Sequence, residues 1–76
     1  MKNARECLSP QEFKVAVLLA KGRSTKEIAL QLKIKPRTVD SHRTQVFVKT
    51  RCENAVVLAH KMLEEGYVKN LFKTDR

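Results

Sequence analysis

The pattern Ser-x-x-Glu occurs twice near the start of the chain, in Ser9-Pro10-Gln11-Glu12 and in Ser24-Thr25-Lys26-Glu27, each time directly before an apolar stretch. Such a box commits the backbone to a helix start. The Ser oxygen takes the N–H of the third helical residue while the Glu carboxylate reaches back to the N–H of the Ser. Pro10 stands at the first helical position, where no N–H is needed. Phe13, Ala16, Val17 and Ala20 then recur at helical spacing, with Val15, Leu18 and Leu19 widening the stripe, until Gly22 supplies a left-handed residue. The first helix is predicted over 10–21. A short second helix follows over 25–32, with Ile28, Ala29 and Leu32 as its apolar face.

Pro36 disfavours helical geometry at Lys35 and suits a first helical position itself. Lys33-Ile34-Lys35 is therefore a turn, and a third helix runs over about 36–49. It places Val39, Val46 and Thr50 on one side, His42 and Arg43 between, and Arg37, Asp40, Ser41, Thr44 and Lys49 outward. Asn54 caps a fourth helix in which Ala55, Leu58, Ala59 and Met62 repeat, with Val56, Val57 and Leu63 beside them, until Gly66 ends it. β-type alternation is nearly absent, so the fold class is all-α. The polar and charged stretches 1–6 and 69–76 are expected to fray.

A chain of 76 residues has room for one domain, and a large enzyme with a deep cleft is excluded. The formal charge of +8 exceeds what solubility requires and points to a polyanion. Between Lys33 and Arg51 there are six basic residues (Lys33, Lys35, Arg37, Arg43, Lys49, Arg51) against Asp40 alone, so this quarter of the chain carries +5 of the +8. No apolar stretch approaches a membrane span, and residues 1–10 lack the apolar core of a secretory signal, so a cytoplasmic location is expected. Cys7 and Cys52 form no CxxC pair and are read as reduced thiols. Together with His42 and His60 they lack metal-ligand spacing, and neither a cofactor nor nucleophilic catalysis is implied.

Two capped helices, the first short, joined by a three-residue turn and the second charged outward, describe a helix-turn-helix. At Leu8-Ser9, Glu12, Val15, Ala20, Gly22, Ser24, Lys26-Glu27-Ile28-Ala29, Leu32, Ile34, Thr38-Val39, His42, Lys49, Asn54 and Gly66-Tyr67-Val68 the chain resembles the GerE or LuxR-type family of bacterial transcription regulators. The resemblance runs from Leu8 to Val68 without a gap. It implies a four-helix bundle whose third helix reads the DNA major groove and whose fourth often forms a dimer contact. Four departures stand out: Lys35 for a capping Ser, Asp40-Ser41 for a Lys followed by a small or apolar residue, Thr50 for a core Leu, and Ala55 for an Arg. Most members also carry an amino-terminal receiver or ligand-binding domain.

The expected function is therefore sequence-specific binding of double-stranded DNA by a regulator at the nucleoid, acting as a homodimer. Arg37, Asp40, Ser41, Arg43 and Thr44 are the candidates for base edges, while Ser24, Thr25, Lys26, Lys35, Thr38, His42 and Lys49 are candidates for phosphates. Val56, Ala59, His60 and Leu63 are expected at the dimer interface. Ser24 to Lys26 can cap and bind phosphate at once. His42 has a second reading as a packed core histidine. Asp40 either accepts from a cytosine amino group or orients Arg37 or Arg43. A rival function is an interaction protein of the same fold that captures another LuxR-type regulator through its last helix. Single-stranded RNA is disfavoured by the few aromatics, Phe13, Phe47, Tyr67 and Phe72.

Overall fold

The computed structural model describes residues 3–68, and these form five helices without a strand: α1 (Ala4–Cys7), α2 (Pro10–Ala20), α3 (Thr25–Leu32), α4 (Pro36–Thr50) and α5 (Ala55–Glu64). Helices α2 to α5 are the four expected from the sequence. Both Ser boxes close as the pattern demands: Ser9 Oγ accepts from Glu12 N–H at 3.2 Å and Ser24 Oγ from Glu27 N–H at 3.1 Å, while each Glu accepts from its Ser N–H. Gly22 and Gly66 take φ of +86° and +83°, the left-handed geometry that ends α2 and α5.

The first helix was not expected. Residues 3–6, anticipated to fray, supply the cap and first three residues of α1 through a third capping box, in which Asn3 Oδ1 accepts from Glu6 N–H at 3.0 Å and Glu6 Oε1 accepts from Asn3 N–H at 3.1 Å. Glu65, just past α5, accepts the Ala4 N–H at 2.7 Å, and its other oxygen pairs with Lys61 at 3.0 Å. The two ends of the described chain are thereby joined, and Ala4 is fully buried. The expectation for 69–76 lies outside the described residues.

Helix α2 is the centre of the molecule, packed by α4 and α5, with α3 against α4. It buries Val15, Ala16, Leu18, Leu19 and Ala20, whereas Phe13 and Val17, placed on the main stripe by the sequence, are only half-buried. Ile28, Val39, Val46, Leu58 and Met62 fill the core from the other helices. Thr50, which stands where the resemblance implies a core Leu, fits because its hydroxyl donates to the Val46 carbonyl at 2.6 Å. Cys52 is buried beside it, its thiol donating to the Thr50 carbonyl at 3.7 Å. Among the described residues no helix is long and apolar enough to cross a membrane.

Candidate nucleic-acid interface

Helix α4 buries Val39, Val46 and Thr50, and this fixes where its other side chains lie. The face opposite the core carries Arg37, Ser41, Thr44, Gln45 and Val48, all exposed. Thr44 turns its hydroxyl back to the Asp40 carbonyl, donating to it at 3.1 Å. Gln45 and Val48 were not among the sequence candidates. Their spacing of four and seven residues from Ser41 is the signal that places them on the same face, and Val48 is 66% exposed.

The two flanks of α4 are committed to its neighbours. On the α3 side, Asp40 accepts from the Thr25 hydroxyl at 3.4 Å, which sets the start of α3 beside the second turn of α4. Asp40 therefore pairs with neither Arg37 nor Arg43, and the expectation that it orients one of those arginines is replaced by a tie to Thr25. Arg43 lies instead over the Phe47 ring, 5.2 Å from its centroid. On the α2 side stand Thr38, half-buried His42 and Lys49. The Lys49 ammonium donates to both Glu12 oxygens, at 2.8 and 3.1 Å. Sequence alone assigned Lys49 to phosphate; the structure gives its charge first to Glu12, a residue read only as a cap. That ammonium, and after it the Ser9 N–H, holds the Glu12 carboxyl below its ordinary value.

The N-terminal end of α4 is open. Lys35 sits at the cap position with extended backbone and makes no side-chain cap bond, and Pro36 removes one unmet donor at the next residue. Lys33, left-handed at φ +59°, Lys35 and Arg37 surround this end, exposed and with no ion pair among the described residues. Bare N–H groups and three cations make a positive pole. Ser24, Thr25 and Lys26 bring the start of α3 to the same side through the Thr25–Asp40 contact, with Lys26 exposed. Helix α3, the turn and α4 thus present one polar, positively charged surface.

The dimer candidates divide. Val56, 54% exposed, and His60 face solvent, and Val57 joins them at 41% exposed. Ala59 is 1% exposed in the core, so it cannot touch a partner, and Leu63 is half-buried against that core. No group of three or more His, Cys, Asp or Glu suited to a metal occurs among the described residues.

A short capped helix, a three-residue turn and a second helix with an exposed outer face and a basic N-terminal end define a helix-turn-helix protein. The family described as "Bacterial regulatory proteins, luxR family" matches residues 6–62, and the chain belongs to it. Over 57 residues it is 42% identical to the transcriptional regulatory protein UhpA of Salmonella typhimurium, a match covering 75% of this chain and 29% of that protein. It is 34% identical over 59 residues to the response regulator UvrY of Escherichia coli, covering 78% and 27%. A putative HTH-type transcriptional regulator of Mycobacterium bovis is 37% identical over 59 residues, covering 78% and 7%. The chain spans less than a third of the length of these curated relatives. No solved structure matches it at comparable significance. The family is one of DNA-binding transcription regulators.

Proposed function

We propose that the chain binds duplex DNA with the outward face of α4 in the major groove, reading base edges through Arg37, Ser41, Thr44 and Gln45, with Asp40 and Arg43 at the edge of that face. The observation that carries this reading is the contrast on α4 itself. Its core side and both flanks are packed or hydrogen-bonded, and the remaining face is exposed and polar except for Val48. Lys33, Lys35, Lys26 and the starts of α3 and α4 meet the phosphates on either side, and Thr38 and His42 lie along the α2 flank. Lys49 adds positive potential only as far as Glu12 leaves it unneutralised. The protein acts as a transcription regulator at the bacterial nucleoid.

Affinity for a duplex should fall steeply with salt, by about 0.9 logarithmic units per phosphate neutralised for each tenfold rise in salt. About four to six such contacts per subunit are expected on that scale. Titrations from low to moderate salt check this, and a flat affinity or no binding would remove the reading. Two subunits on paired half-sites would meet through Val56, Val57 and His60 of α5. Val56→Glu should then abolish cooperative binding to a paired site while half-site affinity and melting temperature stay within error; retained cooperativity places the contact elsewhere.

A further inference from the structure

We propose that the outer face of α2 is a docking groove for an acidic amphipathic helix of a partner protein. The groove runs the length of α2: Phe13 and Lys14 line both of its halves, Arg5 closes one end, and Val17, Lys21 and Leu32 form the other. Phe13, Val17 and Leu32 rest on the core and are half-buried. Tyr67 meets Phe13 edge-on at 4.9 Å between centroids, and the Arg5 guanidinium stands over the same ring at 5.1 Å, so the floor is held in place.

The rim decides the chemistry of the occupant. Arg5, Lys14 and Lys21 border the groove, and no lining residue is acidic. The carboxylate of α2, Glu12, is turned to the opposite side of the helix, where it holds Lys49. A segment that fits must be apolar along one stripe and negative along its edges. Helix α2 has 11 residues, so the groove is about 16 Å long and takes three turns of a partner helix. Neither residues 69–76 nor the same face of a second copy has this charge. Residues 69–76 carry Lys69, Lys73 and Arg76 against Asp75, and a second copy would bring the same three cations to the rim. Because α4 packs on the Glu12 side of α2, an occupant of the groove leaves the outward face of α4 open.

The test is a synthetic, fluorescent helix of about 14 residues, with Leu at i, i+3 and i+7 and Glu at the edges, titrated into the full chain. The expected result is binding that an excess of random duplex DNA does not displace, with amide shifts centred on Phe13, Lys14, Val17, Lys21 and Leu32. Lys14→Glu with Lys21→Glu should weaken it about tenfold or more, and a peptide with Lys in place of Glu should bind that variant instead. Equal binding of a peptide with the same composition in scrambled order would overturn the proposal. So would displacement by the duplex, or shifts centred on α4. Contacts between Leu71 or Phe72 and Val17 in the peptide-free chain would give the groove to its own tail, and self-association with shifts at Val17 would give it to a second copy.

Discussion

At its C-terminal end α4 is held from several directions: Lys49 on both oxygens of Glu12, the buried Thr50 hydroxyl on the Val46 carbonyl, and left-handed Arg51 with its N–H returned to Val48. At its N-terminal end Lys35 supplies no cap, and Lys33, Lys35 and Arg37 stand in solvent. A helix secured at one end and unfinished at the other separates two requirements. Stability is concentrated where α4 meets α2, and the uncompleted end keeps donors and positive charge for a ligand. The same division explains why, among the cations of α4, Lys49 at the secured end is the one held in an ion pair.

The comparison can be broken most severely at the secured end. Val46→Ala removes two buried carbons at a fully enclosed position and should destabilise the domain by about 2 kcal/mol once the cavity is included. For a chain of this size that lowers the melting temperature by about 8–16 °C, checked by thermal denaturation. A loss under about 2 °C on the same scale would mean that α4 is not anchored there. At the open end the sign reverses. Lys35→Ser installs the missing cap and should stabilise by about 0.5–1 kcal/mol, while duplex affinity at low salt decreases because a cation is lost. A variant that melts no higher would show that this end is already satisfied.

The smallest effect is pH-dependent and concerns the clamp. Glu12 titrates in the folded chain below its ordinary value near 4.5, so its stabilisation is fully present above that value and is lost as pH falls through the lowered folded one. Because Lys49 is partly exposed, the effect is about 1 kcal/mol or less. Glu12→Gln should lower stability at pH 7 and shift the acid unfolding midpoint less than it shifts the neutral one. Parallel curves for the two proteins would dissociate Glu12 from the acid transition.

Helices α2 to α5 were legible because each is announced by local chemistry: two Ser boxes, Pro36, Asn54, and the glycines at 22 and 66. The pattern Asn3-x-x-Glu6 announces α1 in the same way, but four residues carry too little periodicity to be read as a helix, and the Ala4–Glu65 bond that secures it spans the chain. Periodicity also left faces ambiguous. Phe13–Val17 and Val15–Leu19 have the same spacing, and only the packing of α4 and α5 selects the second pair for the core. Ala59 and Val56 differ in the same manner on α5. The Glu12–Lys49 and Thr25–Asp40 contacts join residues far apart in sequence, so no local pattern could assign Lys49 or Asp40 a partner.

Amide shift mapping of the full chain during titration with a short duplex tests the central claim most directly, because it locates the ligand without presuming its sequence. The division of α4 predicts that the largest changes fall on residues 24–26 and 35–45, including Arg37, Ser41, Thr44 and Gln45, and fade toward Thr50. Changes centred on α5 or on the outer face of α2, with residues 35–45 unmoved, would contradict it.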